Sequence, residues 1–123
     1  MQQPRVMIVD DVEMNRELLE KVFEDQFEIV SLASGEAALE AMKTFVPDVI
    51  LLDVMMPSIS GYDVCRFIRQ HDELKSMKVF MLSARAMDDD QSQGMEAGAD
   101  EYITKPFNAF SLKDRLLKLL DVK

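Results

Sequence analysis

Three aspartates, one serine and one lysine carry the chemistry open to this sequence. Asp10 and Asp11 follow the apolar run Val6-Met7-Ile8-Val9, and Asp53 follows Val49-Ile50-Leu51-Leu52. Ser83 follows Val79-Phe80-Met81-Leu82, and Lys105, with Pro106 behind it, follows Tyr102-Ile103-Thr104. Carboxylates brought together repel: two unit charges 4 Å apart cost about 4 kcal/mol at an effective dielectric of 20. Such a cluster calls for a cation. Oxygen-only ligation with few protein ligands and room for water suits Mg²⁺, or Mn²⁺, better than zinc. Lys105 adds a second positive charge, fixed to the chain. A divalent ion and Lys105 would meet the oxygens of an incoming phosphoryl group, Ser83 would donate a hydrogen bond, and one of the carboxylates would serve as nucleophile. Aspartyl phosphate is an established covalent intermediate, and catalysis of phosphoryl transfer is mostly positioning and charge stabilisation.

These residues converge only if the apolar runs before them are neighbouring strands of one sheet. Three of the runs are continuously apolar, which is how a strand covered on both faces of a parallel sheet reads. Phe27-Glu28-Ile29-Val30-Ser31-Leu32 is looser and partly alternating, which places it at an edge, and Tyr102-Ile103-Thr104 is a short fifth strand. Helical stripes separate them: Leu18, Leu19, Val22 and Phe23; Ala37, Ala38, Ala41, Met42 and Phe45; Gly61, Val64, Cys65 and Ile68; Ala109, Leu112, Leu116, Leu119 and Leu120. Asp88-Asp89-Asp90 opens the remaining helix, where negative charge meets the positive end of the helix dipole, and Gly98 closes it in a left-handed cap. The order βαβαβαβαβα, with right-handed crossovers, is an α/β doubly wound fold with helices on both faces. Ligands of such sheets bind beyond the carboxyl ends of the strands, where the strand order reverses. All five chemistry-bearing positions lie at those ends.

The composition agrees with one domain over residues 1–123. Hydrophobic residues make up 48% and charged residues 30%, an ordinary globular balance. A chain of this length buries roughly 65% of its unfolded surface. No apolar run approaches the ~20 residues of a membrane helix, and the start of the chain lacks a signal peptide's basic and apolar blocks, so a cytoplasmic location is expected. The net charge of −9, from 23 acidic against 14 basic residues, opposes direct contact with nucleic acid or anionic membranes and favours a cation or a basic partner. Cys65 is the one cysteine and forms no internal disulfide; on its helical stripe it reads as core. His71 is the one histidine, so a Ser-His-Asp or Cys-His hydrolase would rest on it alone. It sits in a polar run after a helix and reads as an exposed helix-end residue.

Taken together and in order, Val9-Asp10-Asp11, Asn15-Arg16, Leu52-Asp53-Val54-Met55-Met56-Pro57 with Gly61, Leu82-Ser83-Ala84, and Ala97-Gly98-Ala99-Asp100-Glu101-Tyr102 leading to Thr104-Lys105-Pro106-Phe107 resemble the response-regulator receiver domain of bacterial two-component signalling. The resemblance runs from Val6 to Leu120. It implies a flavodoxin-like (βα)₅ fold with strand order 2-1-3-4-5, known for the chemotaxis regulator. It implies Asp53 as phosphoacceptor, and Mg²⁺ held by Asp10, Asp11, Asp53 and the backbone carbonyl of Met55. Lys105 would pair with the phosphoryl group and the carboxylates. Ser83 would be the switch hydroxyl and Tyr102 the switch aromatic. The donor would be a phosphohistidine on a sensor histidine kinase or histidine phosphotransfer protein. A downstream partner or output domain would read the face made by the fourth helix, fifth strand and fifth helix. Met55, two residues after the acceptor, and Arg85, two after Ser83, would flank the phosphoryl group and tune its lifetime. The Lys105-Pro106 bond is expected to be cis.

Other readings of the same residues are weaker. An aspartate of the Asp10-Asp11 pair would also suit the N-cap of the helix that follows. Asn15-Arg16 reads on its own as a polar first helical turn, and an aromatic such as Tyr102 in a short strand as packing. An aspartyl-phosphate phosphatase would want a second carboxylate close after the nucleophile, where Val54-Met55-Met56-Pro57 stands. A flavin or nucleotide carrier would want a glycine- or hydroxyl-rich loop where Asp10-Asp11 stands. A phosphorylation-deficient interaction module usually lacks one of the acidic or lysine residues, and all are here.

Overall fold

The apolar runs become strands because each presents alternate side chains to two layers of helix. The computed structural model describes residues 3–84 and 88–120. Along it run β1 (Arg5–Val9), α1 (Glu13–Phe23), β2 (Glu28–Leu32), α2 (Gly35–Ala41), β3 (Val49–Asp53), α3 (Gly61–Gln70), β4 (Lys78–Ser83), α4 (Asp88–Ala97), β5 (Glu101–Thr104) and α5 (Ala109–Leu119). The strands form one parallel sheet in the order β2-β1-β3-β4-β5. Met7, Val9, Ile50, Leu52, Val79 and Met81 face one way and pack with Ala38 of α2, Val64 and Ile68 of α3, and Ala97 of α4. Their neighbours Val6, Ile8, Val49, Leu51, Phe80 and Leu82 face the other way and pack with α1 and α5 through Phe23 and Leu116. That is the period-2 alternation of a pleated strand, hidden in sequence because both faces are buried. β2 lies at an edge, and none of its residues is fully buried.

The register brings the carboxyl ends level: Val9 lies opposite Leu52, Asp53 opposite Leu82 and Ser83 opposite Thr104. Asp53 and Ser83 are therefore the last paired residues of their strands rather than the first residues beyond them. The chain leaves β1 toward β2 on one side and β3 toward β4 on the other, so the reversal falls between β1 and β3.

The helix stripes hold with local exceptions. On α1, Leu19, Val22 and Phe23 are buried, but Leu18 is 57% exposed, because it lies one residue off the i, i+3, i+4 face. Leu119 has stripe spacing after Leu112 and Leu116 but is 44% exposed, because it is the last residue of α5 and reaches past the end of the packed face. α2 is shorter than its stripe. It ends at Ala41, and the chain leaves it through tight turns in which Lys43 and Thr44 donate to Glu40 and Ala41 three residues back. α3 opens on a capping box between Ser60 and Asp63. Asn108 caps α5, its side chain accepting from the N–H groups of Phe110 and Ser111. α4 opens at Asp88, and Gly98 follows its end at φ +107°, the left-handed conformation glycine adopts without penalty. The Lys105–Pro106 peptide is cis, as expected. His71 ends α3 but is half-buried, not exposed. Its ring stacks on Phe67 at 3.9 Å, and Nδ1 lies 2.8 Å from the Phe67 carbonyl.

Candidate functional site

β1 and β3 deliver Asp10 and Asp53 to adjacent positions at the crevice, and both are buried, at 2% and 6% exposure. Asp11 is exposed. One carboxylate oxygen from each of Asp10, Asp11 and Asp53 lies within 4.8 Å of the others. Lys105 reaches in from the end of β5, its Nζ 3.3 Å from Asp10 Oδ2 and 3.8 Å from Asp53 Oδ1. One ammonium thus faces two buried carboxylates, with a third at the rim. The donor set is all oxygen, grouped closely and open on one side through Asp11. That fits a hard divalent cation keeping part of its water shell.

Burial pushes the Asp53 carboxyl up to a pKa of about 6; the Lys105 ammonium pulls it down, the Asp10 charge raises it, the Met55 N–H lowers it, and Asp11 adds a smaller rise. The Met55 N–H donates to Asp53 Oδ1 at 3.2 Å. Gly61, at the start of α3, lies against this turn. A Cβ there would meet the Asp53 carbonyl oxygen at 2.5 Å and Val54 Cα at 3.0 Å, so the helix can approach the end of β3 only because position 61 carries no side chain. In sequence Gly61 reads as a member of the α3 stripe and of the motif that follows Asp53, and neither reading shows this close approach.

Asp10 is held more firmly than its position in the sequence suggests. Its Oδ1 accepts the Val12 N–H at 2.9 Å, and its Oδ2 accepts from Asn15 Nδ2 at 3.1 Å. Its carbonyl accepts from Arg16 Nη1 at 2.7 Å. Asn15 and Arg16 are therefore more than a polar first turn, since α1 places both side chains to fix the aspartate in front of it. The available signal was their spacing, five and six residues after Asp10. Neither Asp10 nor Asp11 caps α1; the N-cap is Val12, which makes no side-chain cap bond.

Ser83 is fully buried at the end of β4, one residue beyond the level of Asp53. Tyr102 is half-buried on the α4 face of the sheet, opposite Met81. Met55 is 49% exposed beside the acceptor. Arg85 lies outside the described residues. Cys65 is buried in the core, and burial pushes its thiol up to a pKa of about 11, which keeps it in the unreactive thiol form.

Residues 6–117 match the family model described as the response regulator receiver domain. The chain belongs to the response-regulator receiver family. This receiver is 40% identical over 120 residues to the transcriptional regulatory protein CseB of Streptomyces avermitilis, covering 97% of this chain and 50% of that protein. The beryllofluoride-activated DrrB receiver domain superposes with a TM-score of 0.89 at 30% identity, covering 98% of this chain and 99% of that one. A chemotaxis response regulator of Vibrio cholerae does so with a TM-score of 0.89 at 27% identity, covering 96% and 99%. The receiver spans about half the length of the transcriptional regulators it matches. No helix among the described residues is long and apolar enough to cross a membrane.

Proposed function

We propose that this receiver takes a phosphoryl group from a phosphohistidine onto Asp53 and then shifts between two conformational populations that a partner or an output domain reads. The observation that carries this reading is the buried Asp53 carboxylate, set between the Lys105 ammonium at 3.8 Å and the oxygens of Asp10 and Asp11. With its pKa near 6, Asp53 is mostly ionised at pH 7 and so is the nucleophile rather than the acid. One of its oxygens attacks phosphorus. The O–P bond forms as the N–P bond to the donor imidazole breaks, and that nitrogen leaves with the electron pair and takes up a proton. In this reading Lys105 holds a phosphoryl oxygen and Ser83 donates a hydrogen bond to another. Asp10, Asp11, Asp53 and the Met55 carbonyl would hold Mg²⁺, or Mn²⁺. When bound, the ion would supply charge neutralisation for the carboxylates and the phosphoryl oxygens.

The receiver acts on itself and does not turn over an external substrate. Nothing in Val54-Met55-Met56-Pro57 supplies a second acid or base to hasten hydrolysis. Residues 1–123 form one such domain, working in the cytoplasm with a sensor histidine kinase or histidine phosphotransfer protein as donor. The face of α4, β5 and α5 is the output surface, reached through Ser83 and Tyr102. Met55 and Arg85 set the lifetime of the phosphate. The net charge of −9 argues against direct nucleic-acid or membrane contact by this domain.

Incubation with Mg²⁺ and a small phosphodonor, followed by intact mass measurement, tests the reading. One added phosphate is expected, lost in Asp53→Asn and with a chelator. A phosphate retained in Asp53→Asn would place the acceptor elsewhere.

A further inference from the structure

α4 carries a glycine in its middle, where glycine costs about 1 kcal/mol relative to alanine. Gly94 is buried, and a Cβ built there would lie 2.8 Å from Cδ2 and 3.3 Å from Cε2 of Tyr102, and 3.2 Å from Sδ of Met81. At 2.8 Å a methyl group and the ring cannot both stay where they are. Met81 lies directly opposite Tyr102 in the β4–β5 pairing. The ring therefore rests in a seat made by the bare backbone of α4 and the Met81 side chain. It is half-buried, so part of the ring faces solvent.

We propose that Gly94 is a positioning residue for the switch: its missing side chain is the seat that holds the Tyr102 ring against α4, and it thereby sets the balance between the two ring arrangements. The inference rests on Tyr102 being the switch aromatic and deepens that reading. A methyl at position 94 destabilises the seated ring and leaves the site around Asp53 untouched, since Gly94 lies on α4 and contacts none of its carboxylates. Gly94→Ala therefore shifts the balance between the two ring arrangements away from the seated one.

The test compares wild type, Gly94→Ala, Tyr102→Ala and the double variant. In the Tyr102→Ala background, Gly94→Ala raises the melting temperature, because the ring is gone, the flexible Met81 thioether can give the few tenths of an ångström a Cβ needs, and helix propensity favours alanine. With Tyr102 present that gain is absent or reversed. In Gly94→Ala without phosphodonor, the Tyr102 ring resonances move along the line joining their wild-type positions without and with beryllofluoride and Mg²⁺. Intact mass still shows one added phosphate, since Asp53 and the groups around it are unchanged. Equal melting shifts in both backgrounds overturn the seat. Ring resonances that stay put, or move off that line, overturn its coupling to the switch. If Gly94→Ala does not fold, folding of the double variant supports the seat and its failure to fold overturns it. Wild-type Tyr102 resonances indifferent to beryllofluoride would instead sink the assignment of Tyr102 as the switch, an outcome separate from the melting cycle.

Discussion

Asp53 is at once the reactive group and a cost to the fold. Its pKa of about 6 in the folded protein lies above the ordinary carboxylate value of 3.8, so the folded state binds its proton more tightly than the unfolded state. The contribution of Asp53 to metal-free stability should then fall as pH rises from 3.8 to about 6 and level off above, a loss on the order of 2–3 kcal/mol. Asp53→Asn does not titrate there, so its stability advantage over wild type should grow from pH 4 to pH 7. Parallel denaturation curves for the two proteins would show that burial does not press on this carboxyl. Asp10 depends on neighbours that sequence motifs alone do not reveal. Arg16→Ala removes a charged donor from the Asp10 carbonyl and should cost about 1.5–3 kcal/mol, with weaker Mg²⁺ binding by titration. Unchanged stability and affinity would make Arg16 a surface residue. Asp10, Asp11, Asp53 and Lys105 were legible because each stands at a strand end. The bonds of Asn15 and Arg16 back to Asp10 were not, because they depend on how α1 is set against β1.

Among the elements, the helices differ sharply in what holds them. α3 buries Gly61, Val64, Cys65 and Ile68 on one face, whereas among the described side chains of α4 only Gly94 and Ala97 are buried, and Met95 is 52% exposed. A helix with so little apolar grip is suited to shift. Its far end is nevertheless clamped. Arg69 of α3 donates to the carbonyls of Gly98 and Lys75 at 2.8 Å, to Met77 O at 2.5 Å, and to Asp100 Oδ2 at 2.9 Å. The same Asp100 oxygen accepts the Val79 N–H at 2.7 Å. Arg69→Ala should therefore cost about 2–4 kcal/mol. Arg66→Ala, which among the described residues loses only the exposed pair with Asp63 at 3.4 Å, should cost less than about 1 kcal/mol. Chemical denaturation measures both, and equal effects would refute the clamp. The strands were readable from their runs, four helices from their stripes, and α4 from the aspartates at its start and Gly98 at its end. What escaped was position: Leu18 is apolar but off the buried arc, Leu119 is on the stripe but at the very end of α5, and His71 gained a stacking partner that only the turn of α3 supplies.

For the whole molecule, the alternation of strand and helix fixed the class of fold, and the strand ends fixed where chemistry could occur. The strand order came through the family resemblance and matches the sheet observed. Folding gathers three carboxylates that the unfolded chain keeps apart, so a divalent ion that binds only the folded state should stabilise it. The expected gain is roughly 2.7 kcal/mol at a hundredfold excess over Kd, read as a rise in melting temperature with Mg²⁺ over chelator. A melting temperature that ignores millimolar Mg²⁺ would remove the cation from the account. The central claim is that Asp53 carries the phosphoryl group, and locating that group tests it most directly. Borohydride reduces an acyl phosphate to the alcohol, so the phosphorylated protein should yield, on digestion and peptide sequencing by mass spectrometry, homoserine at position 53 and unmodified aspartate at 10 and 11. Homoserine at another position, or at none in a protein that has gained phosphate, would contradict the account.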